Sequence, residues 1–160
     1  NRTIEKRSMS VCQETSDVRH PPFIHVPVPG SRSPISRAVG VPSGATTWYL
    51  SGQMPAVIDP AAPPDSRAAY GDTYRQTLST LNRLDGILAG MDLSMRDVVH
   101  VRASLVADPD LGRMDFDGFN AAWAEFFAGQ DSAWPARMVL QVAGLVDPAW
   151  LLELEVIAAK

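Results

Sequence analysis

Trp134-Pro135-Ala136-Arg137-Met138-Val139-Leu140-Gln141-Val142-Ala143, then a turn, then Leu151-Leu152-Glu153-Leu154-Glu155-Val156-Ile157-Ala158, is the stretch on which the fold reading turns. Both halves read as strands that press one face on a core. Each also carries charge on a face expected to be buried: Arg137 in the first, Glu153 and Glu155 in the second. Desolvating such ions is costly unless they are paired or engaged with a ligand, so the pattern points to a small anionic substrate beside a carboxylate that handles water. Read as a hairpin in which Ala143 pairs with Leu151, the stretch sets Glu153 opposite Gln141. Arg137 then lies on the same sheet face four residues further along, roughly 13 Å at strand rise. A small substrate does not bridge that gap within one flat hairpin, so either a bulge shortens it or another subunit completes the site.

Working back toward the N-terminus, Phe116, Phe119, Trp123, Phe126 and Phe127 recur at spacings of three and four, with Asp115 and Asp117 at the end the helix dipole favours. This predicts a helix whose aromatic stripe is core rather than a platform for stacking bases. Val99, Val101, Ala103 and Leu105 alternate with His100, Arg102 and Ser104, a strand with one buried face that Asp108-Pro109-Asp110 ends. Leu78, Leu81, Leu84, Leu88 and Met91 predict an amphipathic helix from about Gly71 to Ala89, with Gly90 as its stop. Residues 55–69 hold Pro55, Pro60, Pro63 and Pro64 and read as a surface loop. Runs at 23–28, 35–41 and 46–52, rich in β-branched and aromatic residues, should form the first strands. The resulting order, written β-β-α-β-α-β-β, places two helices on one face of a mixed or antiparallel sheet, an α+β sandwich. The other face then needs a partner, and oligomerisation is the expectation.

With 160 residues, 46% of them hydrophobic, the chain suits one core and is too short for two comfortable domains. Residues 1–22 read as a flexible or peripheral extension and 23–160 as the single domain. The net charge of -4, without a basic block, argues against nucleic acid as a partner. No apolar run approaches the roughly 18 residues of a membrane span. One cysteine, Cys12, and three scattered histidines make neither a disulfide framework nor a metal set. His20, His25 and His100 are read as structural. The chain opens on Asn1 rather than Met, which suggests that a tag or an export signal was removed upstream.

Ser51-Gly52-Gln53-Met54-Pro55 after a strand, Asn120 in a helix that ends Glu125-Phe126-Phe127, Pro135-Ala136-Arg137, and Glu153-Leu154-Glu155-Val156-Ile157-Ala158 together resemble the Rid (YjgF, reactive intermediate deaminase) family. Each motif alone is common; four in register from about Ile35 to Ala159 are specific. The resemblance implies a chorismate-mutase-like subunit in a homotrimer whose sheets form an inner barrel, with a small-molecule site in each intersubunit cleft. It also implies cytoplasmic residence by family default, and hydrolysis of 2-imino or 2-enamino acids to 2-keto acids and ammonia without cofactor or metal. By position, Arg137 would hold the substrate carboxylate, Glu153 would position or polarise water, and Ser51, Gly52 and Asn120 would line the pocket.

The chemistry agrees with these roles. A guanidinium matches a carboxylate in a bidentate arrangement that lysine cannot reproduce. Imine hydrolysis needs delivered water and proton transfer, which a partly desolvated carboxylate serves, and assistance of about 10² to 10⁴-fold suffices for so easy a reaction. The structural alternative is that Arg137 and Glu153 pair with each other or with Glu155, that Asn120 bonds a loop, and that Ser51-Gly52 is a strand end needing small side chains. Two departures from the family pattern bear on substrate. Ser33-Pro34-Ile35 stands where a Gly-Pro-Tyr turn is usual, and Val139 where cysteine or a small polar residue is usual, so the pocket around Ile35 and Val139 should be more apolar. A specialised binder of small carboxylates is therefore the alternative to a deaminase, and ribonuclease activity ranks last.

Overall fold

Val101, Ala103 and Leu105 alternate with half-exposed His100, Arg102 and Ser104 because a strand turns successive side chains to opposite faces. In the computed structural model, which describes residues 23–31, 33–129 and 133–160, these residues form the central strand of a six-stranded sheet. The strands are β1 (Ile24–Pro27), β2 (Ser36–Gly40), β3 (Thr47–Gln53), β4 (Val98–Val106), β5 (Ala136–Val142) and β6 (Leu152–Ala159). Their spatial order is β1-β2-β5-β4-β6-β3. The helices are a single turn, α1 (Arg67–Tyr70), and two longer elements, α2 (Thr73–Ala89) and α3 (Phe116–Phe126). The expected N-terminal extension, 1–22, lies outside the described residues.

Both long helices cover one face of the sheet, as the α+β reading requires. Leu81, Leu84 and Leu88 of α2 and Phe119, Trp123 and Phe127 beside them are buried against Val101, Ala103, Leu105, Leu152, Leu154, Val156 and Ala158. Each helix begins where an aspartate satisfies a free backbone N–H. Asp72 accepts from Arg75 N and Asp115 from Gly118 N, both at 2.9 Å. The helix therefore starts two residues after the expected Gly71, whose backbone has φ +83° and forms the turn out of α1. No helix among the described residues is long and apolar enough to cross a membrane.

Three expectations are corrected. Three strands precede the helices, one more than the written order holds, and the proline-rich loop carries the short α1. The C-terminal stretch is not a hairpin: β4 lies between β5 and β6, parallel to the first and antiparallel to the second. A nine-residue connection, 143–151, is long enough to step over a strand, and the apolar β4 gains most by being paired on both sides. The segment β4-α3-β5 is accordingly a crossover that returns through a helix. Finally, Arg137 and Glu153 do not share a face. Arg137 is paired with Val101, on the helix side, whereas Glu153 is paired with Ser104, on the open side.

Candidate functional site

Arg137 is the second residue of β5, and its side chain runs under α3. Its guanidinium carbon stands 5.2 Å from the ring centroid of Phe119 and 4.8 Å from that of Trp123. Rings at these distances favour a cation through their quadrupoles and replace part of the lost hydration. Nη2 donates to Asn120 Oδ1 at 2.9 Å. Nη1 is buried and has no hydrogen-bond partner among the described residues. Burial pulls the Arg137 pKa down to about 10, since desolvation disfavours its charge. The ion-pair alternative fails for this residue, because its hydrogen-bonding partner is a neutral amide. Glu155 instead meets Arg102 at 3.4 Å on the half-exposed sheet face, an interaction of small energetic weight.

α3 places Phe119, Asn120 and Trp123 within a little more than one turn, so one helix face supplies both the rings and the amide. Trp123 Nε1 donates to Pro34 O at 2.9 Å, which ties the segment before β2 to the same helix. Ile35 follows directly and packs half-buried against the core, as does Val139, two residues after Arg137 on the same face. Arg137, Asn120, Val139 and Ile35 thus gather at one end of the helix-covered side.

Glu153 belongs to a second group. β3 and β6 lose register between Leu50 and Gln53, a bulge that falls on Ser51-Gly52. Gly52 lies so close to Glu153 that a Cβ there would come within 1.7 Å of Glu153 Oε1. A side chain at this point would displace the Glu153 carboxylate from its place. Ser51 is exposed beside it, and its carbonyl accepts from Gln53 Nε2 at 3.0 Å. Glu153 is level with Ser104 and Arg137 with Val101, three residues apart along β4, which is about 10 Å, in addition to lying on opposite faces. Within one chain the expected site residues form two separate groups.

The sequence reading missed four residues around the first group. Phe119 and Trp123 were read as core alone, yet they also carry the guanidinium; their i, i+4 spacing around Asn120 was the available signal. His25 was read as structural and Trp134 was given no place in a site. With Pro27, Ile35 and Ser36 they line a cavity of about 230 Å³. His25 Nδ1 donates to Trp134 O at 3.0 Å, and Ser36 Oγ donates to the same carbonyl at 2.6 Å.

The fold and the two residue groups define a class: an α+β sandwich with one helix-covered face, one open face, and a buried cation with a donor unpartnered among the described residues. The family profile described as Endoribonuclease L-PSP matches residues 29–160. The chain belongs to this family, also called Rid or YjgF. Among solved structures, a Rid-family protein of unknown function from Yersinia pestis is similar at 22% identity and a TM-score of 0.63, covering 86% of this chain and 98% of that one. A protein of unknown function from Pseudomonas aeruginosa is similar at 26% identity and TM-score 0.58, covering 82% and 83% respectively. A protein from Thermotoga maritima provisionally assigned as an endoribonuclease is similar at 29% identity and TM-score 0.53, covering 81% and 89%.

Proposed function

We propose that this protein hydrolyses reactive 2-imino and 2-enamino acids to 2-keto acids and ammonia, at clefts that a second copy of the chain completes in a homotrimer. The observation that carries the reading is Arg137. Its guanidinium is stacked on two rings and held on one side by Asn120, and its buried Nη1 has no partner among the described residues. A buried donor left unsatisfied costs about 1–3 kcal/mol, more when charged, and a substrate carboxylate would offset that cost. With the carboxylate fixed, the adjacent C=N carbon is held in one place. Water adds to that carbon while the nitrogen gains a proton; the C–N bond then breaks, ammonia leaves, and the hydroxyl loses its proton to give the keto group. One water is consumed per ammonia released, and enamines enter after tautomerising to imines. Glu153 accepts the proton from water and returns it to the departing nitrogen.

The opposite placement of Arg137 and Glu153 supports a shared site, since neither reaches the other's side of its own sheet. The open face carries exposed Tyr49 and Met138 among its polar residues, surface that a copy of the same sheet would cover. The second reading is a binder of small carboxylates without catalysis. It is favoured by Ile35 and Val139, which bring no hydroxyl or thiol to the anchor. RNA cleavage fits poorly with a net charge of -4.

The test generates 2-iminobutyrate or 2-iminopropionate from an amino acid with an oxidase and follows keto-acid release. The parent should accelerate release over the spontaneous rate, and Arg137→Ala and Glu153→Gln should each return it to near that rate. A parent protein that leaves the spontaneous rate unchanged sinks the deaminase reading. If 2-ketobutyrate or benzoate still binds in an Arg137-dependent way, the binding reading replaces it.

A further inference from the structure

The cavity lined by His25, Pro27, Ile35, Ser36 and Trp134 is built from residues that neighbour the anchor's own segments along the chain. Ile35 is flanked on one side by Pro34, whose carbonyl takes the Trp123 Nε1–H, and Arg137 stacks on that same Trp123 ring. On its other side Ser36 is bridged to Ala136, the residue before Arg137, with Ser36 N donating to Pro135 O at 3.0 Å. Trp134, also in the lining, directly precedes the Pro135-Ala136-Arg137 segment. The cavity therefore lies beside the strand start that presents the guanidinium.

Its size and lining are informative. At about 230 Å³ it exceeds the ~150 Å³ of an apolar protein cavity that admits benzene. Its walls are largely apolar: an isoleucine, a proline and an indole, with the polar atoms of His25 and Ser36 already engaged with the Trp134 carbonyl. Trp134 Nε1 is buried and has no partner among the described residues, an unusual state for an indole donor. A site made to hold only a methyl or ethyl side chain has no use for this volume.

We propose that this cavity is the side-chain pocket of the substrate held by Arg137, and that the preferred ligands are carboxylates whose side chain is aromatic. The inference rests on the carboxylate-anchor part of the proposed function and adds the substrate class. The exclusion of bulk is what makes such pockets selective: each methylene mismatched in an apolar site is worth about 10- to 200-fold.

The test compares 3-phenylpropanoate with propanoate by calorimetry, and 2-imino-3-phenylpropanoate with 2-iminobutyrate in the keto-acid assay. The parent should favour the phenyl member of each pair by about 10-fold or more. Ile35→Phe, which fills the cavity, should bring the ratio of phenyl-acid to small-acid binding and turnover close to one. Trp134→Leu, also in the lining, enlarges the space and should retain phenyl binding with a weaker preference for one ring over bulkier aromatic acids. Thermal unfolding of both variants establishes that they are folded. Equal binding of the phenyl and methyl acids to the parent overturns the pocket, as does an Ile35→Phe variant with unchanged preference. The two readings fail separately: phenyl-acid binding that depends on both Arg137 and Ile35, without imine turnover, removes the deaminase and keeps the pocket.

Discussion

A single cation shows how a site can cost stability. Burial pulls the Arg137 pKa down to about 10, well below the usual guanidinium range, so its charged form is disfavoured in the folded chain relative to the unfolded one. The penalty is present at neutral pH and shrinks as pH rises through about 10, where the folded state releases a proton that the unfolded chain still holds. Arg137→Met, which keeps the stem and removes the charge, should therefore unfold at a temperature equal to or above the parent's, while the thermal shift caused by benzoate disappears. A fall of more than about 5 °C would mean that the ring stack and Asn120 outweigh desolvation. In the parent, carboxylate affinity should decline as pH rises past 10, measured by calorimetry at pH 8 and pH 11. At Gly52 the contrast is between geometry and stability. A methyl group there must displace the Glu153 carboxylate from 1.7 Å, and a shift of about 1 Å in a catalytic group costs on the order of 10² in rate. Gly52→Ala should lose about that much keto-acid release with a small change in melting temperature, since the displaced group is the far end of a flexible side chain.

Among the elements, α3 has the most to hold. It carries both rings and the amide of the anchor, and its first turn depends on Asp115, whose carboxylate takes the Gly118 N–H at 2.9 Å. Asp115→Ala should cost about 1 kcal/mol, or 2–4 °C in melting temperature for a chain of this size, read by thermal unfolding. The periodicity of α3 and β4 was plain in the sequence because each buries one stripe of its own residues. Pairing was not, since it depends on partners far along the chain: β5 and β6 are adjacent in sequence and look like a hairpin until β4 is placed between them. That one misreading put Arg137 and Glu153 on a common face. The family motifs named both residues and their neighbours, whereas the ring stack and the cavity, assembled from β1, β2 and Trp134, had no local signal beyond the spacing around Asn120.

For the whole molecule, the division into two groups makes a quantitative expectation. If each site takes Arg137 from one copy and Glu153 from the next, mixing the inactive Arg137→Ala and Glu153→Gln proteins after co-refolding should restore about one quarter of the parent activity, because a heterologous interface pairs the two intact groups in that fraction of sites. No recovery would place both groups in one chain's reach. The sheet order also governs how the molecule comes together in time. β6 follows the other elements in the chain yet lies between β3 and β4, and β3 has no other strand partner among the described residues. During synthesis from the N-terminus, Trp48 and Leu50 must therefore wait on an unpaired strand until residues 152–159 emerge, a closure over a hundred residues of chain. The bulge that seats Glu153 is created by that last pairing, so a nascent chain presents Arg137 in β5 before Glu153 is seated, and the proposed site would gain its carboxylate anchor before its means of moving a proton.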